Sequence, residues 1–470
     1  MTTIFMISGF SDIETAGNQS MKNGIKFLAE FGYQLKVFTF MPEDYPNLQD
    51  PEKVFPAGVE FHRLPRILSW VIRLGQKTKD FVGRQRDEAR QSEEAQPFGN
   101  AGGYLREYNA MGRLFYLFFL FLLYIPVESF RVLAHSLRCR PDLVYGVNCQ
   151  GAVVASLLGR LLRRPVIIRF HGVSVTEHDL ARLRNRLLVL DEISGLTARA
   201  DAVIVANDGT KGDKILRRLG VEEDKVRFWL NGFDRDDLVL PQGWHAGAFK
   251  RELGIEGKKV ITMLSRLTTW KRVDRGIRCL HNLLKEPGGI DAVLIIAGEG
   301  PARQELEALA QELGVKESVR FLGGVPHKEV SKYYAIADVF LSLYDISNLG
   351  NPILEAMYFG LPIITIADGS TDYLLQDNHN ALLIRTEDLP DELPVKVKQL
   401  LENGSLRREL GRNVKNTFNE KVLSWQERMK LEDRLIKGIL GDGNNQSGLL
   451  SGIGSRGPGE QSGRKSPKHR

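Results

Sequence analysis

Two basic residues in the second half of this 470-residue chain have the types and spacing needed to hold a diphosphate. Arg266 follows an apolar stretch that ends at Leu264, and Lys271 opens the next helical segment. Two fixed cations at a strand end can clamp a diphosphate and neutralise its charge as it leaves, through charge-assisted hydrogen bonds of about 1.5–3 kcal/mol each. Taken alone, a pair of this kind more often consists of ordinary surface cations.

A second candidate group lies between Ala337 and Gly360, where an apolar run, a turn and a helix start follow each other. The spacing predicts a buried strand, then a turn, then a helix capped by Asn351. A helix N-terminus at the carboxyl edge of a sheet favours phosphate binding. One turn into this helix, Glu355 is placed to grip the two hydroxyls of a ribose, or simply to complement the helix dipole. Arg266, Lys271 and Glu355 occur together with a Gly-Glu-Gly turn at Gly298, and this joint occurrence favours the functional interpretation.

Composition limits the classes of protein to which this chain can belong. Its hydrophobic content of 43%, charged content of 26% and net charge of +6 are typical of a globular protein of more than one domain. Its three cysteines form no Cys-x-x-Cys pair, which argues against structural zinc and favours a reducing compartment. The sequence MTTIFMISGF resembles a first strand and not a signal peptide, so we expect a cytoplasmic protein. Without interleaved aromatic residues or a known module, the basic residues do not favour nucleic-acid binding.

Alternating strand and helix patterns predict an α/β protein with two Rossmann-like, doubly wound parallel-sheet domains that face each other across a cleft. We expect an N-terminal domain over residues 1–235 that takes the acceptor, and a C-terminal domain over 255–420 that takes the donor. A closing helix over 421–440 should return to the first domain. Residues 441–470 are rich in Gly and Ser, and we interpret them as a disordered tail.

Two insertions within about 63–132 interrupt the first domain. Residues 63–86 carry seven basic residues and one acid, in a pattern typical of a helix on an anionic membrane surface. The residues that suggest this contact are Arg66, Trp70, Arg73 and Lys77. A solvated basic face over a packed helix is the alternative. The second insertion, Leu114 to Val127, is almost wholly apolar and too short to span a bilayer, so it is either a core helix or an interfacial segment.

Several motifs occur in an order that resembles the glycosyltransferase family 4 group, whose members have the GT-B fold and use nucleotide sugars with retention of configuration. The matching segments of this sequence are SRLTTWKRVD, LIIAGEGP, GNPILEAMYFGLPIIT and, in the first half, VIIRFHG, ADAVIVAN and WLNGFD. The resemblance covers most of residues 1–440. It implies a cytoplasmic transferase that takes a nucleoside diphosphate sugar, UDP- or GDP-linked, and needs neither cofactor nor metal.

The resemblance also implies roles for individual positions. Arg266 and Lys271 match the family's diphosphate-binding pair, Glu355 matches the carboxylate that binds the ribose, and His171 matches the histidine that reaches the transferred sugar. By sequence alone, a single histidine after a strand, such as His171, is more often structural than catalytic. The positions that match donor contacts are Gly298, Ser347, Asn348, Leu349, Gly350, Asn351 and Ile353. Gly17 and Asn18 fall in the loop that lines the cleft.

One position departs from the family pattern. The family has two glutamates eight residues apart, and Ser347 stands at the first of these positions. Asp345 could supply a carboxylate from two residues upstream, and Ser347 could itself bond a sugar hydroxyl. The departure leaves two alternatives open beside a transferase: a nucleotide-sugar epimerase or sugar phosphorylase of the same fold, and a non-catalytic nucleotide-sugar-binding subunit. The insertions favour a lipid-linked or membrane-surface glycan acceptor, with a peripheral contact at the inner face of the membrane.

Overall fold

The computed structural model describes residues 1–8, 19–42, 55–64, 116–286 and 289–441. Two parallel sheets organise these residues and confirm the predicted α/β fold class with two doubly wound domains. The strands of the first sheet are β1 Thr3–Ile7, β2 Gln34–Pro42, β3 Val59–Leu64, β4 Leu143–Val147, β5 Val166–Phe170, β6 Ala202–Ala206 and β7 Val226–Trp229. Those of the second are β8 Lys259–Leu264, β9 Ala292–Ala297, β10 Val319–Gly323, β11 Val339–Ser342, β12 Ile363–Ile366 and β13 Leu382–Ile384.

Helices connect the strands on both faces of each sheet. In the first half they are α1 Gln19–Glu30, α2 Ile125–Ser136, α3 Asn148–Leu162, α4 Glu177–Ala181, α5 Leu183–Leu188, α6 Leu190–Leu196 and α7 Gly212–Arg218. The later helices are α8 Ala246–Glu252, α9 Val273–Lys285, α10 Arg303–Glu312, α11 His327–Ile336, α12 Asn351–Phe359, α13 Leu389–Glu402, α14 Gly404–Lys421 and α15 Trp425–Leu440.

The two sheets share one topology. Their strand orders are β3-β2-β1-β4-β5-β6-β7 and β10-β9-β8-β11-β12-β13, and every neighbouring pair is parallel. The order reverses direction between β1 and β4 in the first sheet and between β8 and β11 in the second. Ligands of doubly wound sheets bind at such switch points, outside the carboxyl ends of the strands. Each domain therefore offers one candidate edge.

Alternating side chains bury both faces of the first sheet. Phe5 and Ile7 of β1 pack with α2 and α3, whereas Ile4 and Met6 pack with α1 on the opposite face. The helix α15 belongs to that second face, since Trp425, Met429, Leu435 and Ile436 join the same cluster. Tyr145 of β4 and Arg169 of β5 both hydrogen-bond to Glu432 of α15, which fixes the helix on the first sheet.

The apolar insertion forms a longer helix than the sequence suggested. It runs from Tyr116 to Ser136, 21 residues, with a π-helical stretch at Leu120–Tyr124. This is the one helix among the described residues that is long and apolar enough to cross a membrane, and 39% of its most apolar stretch is buried. Arg131 anchors it, because its guanidinium bonds Glu128 at 2.6 Å and the backbone carbonyl of His62 in β3 at 2.9 Å.

Three local expectations need correction. The strand β3 was not predicted, and Arg63, which we placed at the start of the basic insertion, lies inside it. The helix α12 starts at Asn351 itself, so its N-cap is Gly350 and the Asn351 side chain does not cap it. The remainder of the basic insertion, with Arg66, Trp70, Arg73 and Lys77, lies outside the described residues, as do residues 442–470.

Candidate active site

The switch point of the second sheet places two loops side by side. Strands β8 and β11 pair through Ile261 and Val339, and their carboxyl ends lead into the segments 265–272 and 343–350. These segments carry Arg266, Lys271 and Ser347, so residues that are distant in sequence share one edge.

The backbone around Arg266 is fixed by the glycine turn that follows β9. Gly298 has a φ of 141°, and a Cβ there would lie 1.9 Å from the carbonyl oxygen of Ser265. The Leu267 amide donates to the carbonyl of Glu299 at 2.9 Å. Only glycine permits this approach of the two loops. Arg266 itself is exposed, and within the described part of the chain no carboxylate lies within 4.0 Å of it to neutralise its charge.

Two aromatic rings enclose the ammonium group of Lys271. Its Nζ lies 4.0 Å from the ring centroid of Trp270 and 3.7 Å from that of Tyr344. Burial lowers the pKa of Lys271 to about 7, and the charge of Asp208 opposes that shift. Cation–π contacts and a nearby carboxylate thus hold a lysine that titrates near neutral pH.

A tight turn after β11 presents Ser347. The fully buried Asn348 closes the turn, because its side chain accepts a hydrogen bond from the Tyr344 amide at 3.0 Å and donates to the Tyr344 carbonyl at 2.9 Å. Ser347 takes a left-handed conformation with φ of 60°. The Asn348 side chain, expected to contact the donor, is therefore occupied by the turn.

Fewer groups at the start of α12 are available to a donor than the resemblance implied. Leu349 is buried, and its amide donates to the carbonyl of Asp208 in the first domain at 2.9 Å. Ile353 is also buried. The Asn351 side chain donates to Gln19 at 3.2 Å. Gly350 thus caps the helix at a point where the two domains already touch.

Glu355 is buried and fully oriented. Its Oε2 accepts a hydrogen bond from the hydroxyl of Tyr334 at 2.8 Å, and its Oε1 lies 3.2 Å from Nε2 of His327. Burial raises the pKa of Tyr344, and the charge of Glu355 adds a smaller contribution; the Tyr344 ring in turn lies against the ammonium group of Lys271. Glu355, Tyr344 and Lys271 thus form one electrostatic group at the second domain's edge, with Glu355 held by two side chains that leave lone pairs for a ligand.

His171 lies at the carboxyl end of β5 in the first domain. Its backbone amide donates to Asn148 at 3.2 Å, and its Nε2 is buried without a hydrogen-bond partner among the described residues. Burial, with the charge of Arg169 as a second cause, lowers the pKa of His171 to about 3. The ring is therefore neutral at physiological pH and offers hydrogen bonding without charge.

Asp208 is a member of the site that the sequence analysis missed. It follows β6, and its Oδ2 accepts a hydrogen bond from the Ser347 hydroxyl of the other domain at 3.2 Å. It also lies against the turn after His171, because a Cβ on Gly172 would meet Oδ2 at 2.5 Å. An aspartate that directly follows a buried strand was the available sequence signal.

Asp345 does not replace the missing glutamate. Its carboxylate bonds Arg275 at 2.8 Å and lies 3.5 Å from Arg272, both of which border α9. The residue that meets Ser347 is instead Asp208. Gly17 and Asn18 lie outside the described residues, so their placement in the cleft stays a prediction. In the part of the chain that the structure describes, no group of three or more His, Cys, Asp or Glu residues is arranged to hold a metal ion.

Comparisons with known proteins agree with this architecture. The model for "Glycosyl transferases group 1" matches residues 247–417, and the model for "Glycosyltransferase Family 4" matches residues 80–237. The chain is 30% identical over 205 residues to an uncharacterized glycosyltransferase of Methanocaldococcus jannaschii, which covers 43% of this chain and 51% of that protein.

A second curated relative is the GDP-mannose-dependent alpha-(1-6)-phosphatidylinositol monomannoside mannosyltransferase of Mycolicibacterium smegmatis. It is 31% identical over 214 residues, which is 40% of this chain and 55% of the relative. The chain therefore spans about half the length of these two relatives.

Solved structures show the fold. Anabaena HepE in complex with UDP superimposes with a TM-score of 0.66 at 17% identity, over 93% of this chain and all of that one. Sucrose-phosphate synthase from Thermosynechococcus elongatus gives a TM-score of 0.67 at 16% identity, over 94% of this chain and all of that one. The GT-B fold expected from the sequence is confirmed.

Proposed function

Because the chain belongs to the group 1 and family 4 glycosyltransferases, we propose that it transfers a sugar from a nucleoside diphosphate sugar to a glycan acceptor, with retention of configuration. The observation that carries this proposal is the electrostatic group of Lys271, Tyr344 and Glu355 at the switch point of the second sheet. It combines a cation for a diphosphate with an oriented carboxylate for a ribose, within one edge.

The charges at this edge define the roles of the donor-site residues. Arg266, exposed and without a carboxylate within 4.0 Å among the described residues, and Lys271, held between two rings, bind the diphosphate and stabilise its charge as the sugar–phosphate bond breaks. Glu355 accepts hydrogen bonds from the ribose hydroxyls. These cations take the part that a metal ion plays in other transferases, so we propose that the reaction needs no metal.

The first domain contributes the sugar-binding side. His171 presents a neutral, buried nitrogen that has no partner within the described ranges. We assign it to a sugar hydroxyl beside the reacting carbon, because a buried polar atom is stabilised when a ligand supplies its hydrogen bond. No side chain is assigned as a covalent nucleophile.

A donor panel tests this function. Purified protein would be mixed with UDP-, GDP- and ADP-sugars, and thermal stabilisation and nucleotide release would be followed for wild type, Arg266→Ala and Glu355→Ala. Lys258→Ala is a matched control, since Lys258 pairs with Asp291 near the opposite end of β8. We expect one donor to stabilise wild type and the control and neither site variant. Equal stabilisation of all four proteins would contradict the assignment.

We also propose that the acceptor is lipid-linked and reached from a membrane surface. The helix Tyr116–Ser136 exposes 62% of Phe118, 62% of Leu122 and 72% of Phe130 to solvent. Its first residue, Tyr116, accepts a hydrogen bond from Gln150 in the first turn of α3, so the exposed Phe118 and Leu122 lie near the edge where His171 lies. The mannosyltransferase relative acts, by its name, on a phosphatidylinositol derivative.

Basic side chains lie at the other end of α3, beside the amino ends of β5 and β6. A cavity of about 370 Å³ is lined by Arg160, Arg163, Arg164 and Arg199, with Asp201 as its acidic member. The helix α3, which carries Arg160, packs against α2. A helix pair that carries both exposed apolar side chains and arginines has the composition that binds anionic lipid surfaces.

Liposome flotation tests the membrane proposal. We expect wild type to float with vesicles that contain anionic lipid, and a Phe118→Asp, Leu122→Asp variant to stay in the bottom fraction. The control variant Val239→Asp, Val395→Asp introduces the same charge at two exposed apolar residues elsewhere. Equal flotation of all three proteins, or none for wild type, would overturn this part.

A further inference from the structure

Asp208 is a carboxylate held at the boundary between the two domains. One oxygen, Oδ1, accepts hydrogen bonds from the Thr210 hydroxyl at 2.6 Å and the Thr210 amide at 3.1 Å. The other, Oδ2, accepts only the Ser347 hydroxyl, at 3.2 Å, among the described residues. The two oxygens thus serve different purposes: one closes a local turn and the other faces the second domain.

The local turn does not require a charge at this position. An asparagine at position 208 would keep the oxygen that bonds Thr210, and it would avoid burying a negative charge. No Lys, Arg or His nitrogen of the described ranges lies within 4.0 Å of the carboxylate. Lys271 of the other domain interacts with it electrostatically. Burial raises the pKa of Asp208, while bonds from Thr210 and Ser347 oppose the rise.

Two segments of the chain, one from each domain, converge around Oδ2. A Cβ on Gly172, the residue after His171, would lie 2.5 Å from this oxygen, and Ser347 approaches it from the second domain. Asp208 is only half-buried, so the oxygen borders the cleft. The carboxylate thus lies against the residue that follows His171, whose buried Nε2 has no partner among the described residues, and both groups can hydrogen-bond to hydroxyls.

We propose that Asp208 determines specificity for the donor sugar: the first domain supplies the carboxylate that the second domain lacks at Ser347. This inference rests on the proposed transferase function. When the donor binds, a hydroxyl of its sugar replaces the Ser347 hydroxyl as the group that donates to Oδ2. Ser347 is readily displaced, because its single 3.2 Å bond is replaced by a sugar that makes several contacts at once.

The placement of Asp208 separates two steps of donor recognition. The nucleoside diphosphate is held by the second domain alone, through Arg266, Lys271 and Glu355. The sugar contacts a carboxylate of the first domain, so it is recognised only when the two domains are together, as the contact between Leu349 and Asp208 shows them here. Removing the charge at position 208 should therefore weaken recognition of the sugar more than binding of the nucleotide.

Calorimetry and steady-state kinetics on four proteins test the inference: wild type, Asp208→Asn, Ser347→Glu and the double variant. Each would be titrated with the nucleoside diphosphate and assayed with the nucleotide sugar identified by the donor panel. Because the charge of Asp208 also supports that of Lys271, we expect Asp208→Asn to change the diphosphate Kd less than it changes donor use. Beyond that change, kcat/KM for the donor should be about 10- to 100-fold lower, the loss typical of one charged hydrogen bond.

The double variant supplies a readout that a structural role would not move. Ser347→Glu alone places two carboxylates together and should weaken donor use as strongly as Asp208→Asn. Combined with Asp208→Asn, it returns a single carboxylate to the same place, so we expect recovery of at least half the lost activation free energy. Asp224→Asn, an exposed residue before β7, is the matched control and should behave as wild type.

The possible outcomes distinguish a failure of this inference from a failure of the proposed transferase function. Normal donor use by Asp208→Asn, or equal losses of diphosphate and sugar binding with no rescue in the double variant, would overturn the inference and leave the transferase function intact. A wild-type protein that bound neither diphosphate nor nucleotide sugar would overturn both.

Discussion

The two sheets share a strand order, yet their carboxyl edges carry different chemistry. In the second domain, Arg266 and Lys271 place positive charge at the edge. In the first, His171 is neutral, and the cation nearest to it, Arg169, is paired with Glu432 inside the protein. The comparison teaches that the fold selects the place where a ligand binds, whereas a few side chains at each edge select its charge.

Burial explains how one edge stays charged and the other does not. Lys271 keeps its ammonium partly charged because two rings and Asp208 surround it, although burial brings its pKa to about 7. His171 has Arg169 as its charged neighbour, so burial and repulsion act in the same direction and its pKa drops to about 3. The division matches a donor whose nucleotide end is anionic and whose sugar end is neutral.

Removing a cation from the edge of the second sheet should have the largest effect on the rate. We expect Lys271→Ala to lower kcat by about 100- to 1,000-fold, the usual cost of losing one group that stabilises developing charge. Lys258→Ala, at the other end of β8, should leave kcat unchanged. Steady-state rates with the preferred donor measure both. A Lys271→Ala variant with wild-type kcat would show that the second edge is not where the leaving group's charge is stabilised.

A smaller effect should appear in the pH dependence of nucleotide binding. Since Lys271 has a pKa of about 7 in the empty protein, it is protonated below pH 7 and loses its charge above it. Affinity for the nucleoside diphosphate should therefore fall as pH rises above 7, by at most about tenfold per unit. Lys271→Arg should remove this slope, because arginine stays charged. Calorimetric titrations from pH 6 to 9 with parallel slopes for both proteins would contradict the assignment.

The first edge should show no such titration. With a pKa of about 3, His171 is neutral from pH 5 to 8, so its replacement should change the rate without changing the pH profile. We expect His171→Asn, which keeps one hydrogen-bonding amide, to lower kcat/KM about tenfold for the loss of one neutral bond. An acidic limb near pH 6 in wild type that disappears in His171→Asn would show that the histidine is charged during the reaction.

The smallest expected effect is that of removing metal. If the basic pair carries the leaving-group charge, dialysis against EDTA should leave kcat within experimental error of the untreated protein, and added Mg²⁺ or Mn²⁺ should not raise it. A rate that vanished with EDTA and returned with either ion would mean that the second edge needs a metal to hold the diphosphate.

Local sequence patterns predicted most of the fold and part of the candidate site. The edge of the second domain is built from two short segments, each a strand followed directly by its polar turn, so Arg266, Lys271 and Glu355 could be identified from the sequence. Asp208 could not, because its partner Ser347 lies 139 residues away and on another domain. Pairing across domains depends on tertiary structure, which sequence periodicity does not record.

The predicted end of the apolar helix was wrong for a related reason. The apolar run that ends at Val127 continues as a helix to Ser136 because Arg131 and Glu128 pair and bond to β3. Charged residues in that segment suggested an end to the helix, and only the tertiary contact shows why they are tolerated. The same limit applies to Asn348, whose amide looked available for a donor but closes its own turn.

The most direct test of the account is a crystal structure of the protein with a bound nucleoside diphosphate. We predict that both phosphates lie against Arg266 and Lys271, that the ribose hydroxyls contact Glu355, and that the terminal phosphate points toward His171 and Asp208. A nucleotide bound at the edge of the first sheet, or one whose ribose does not contact Glu355, would contradict the division of charge between the two domains.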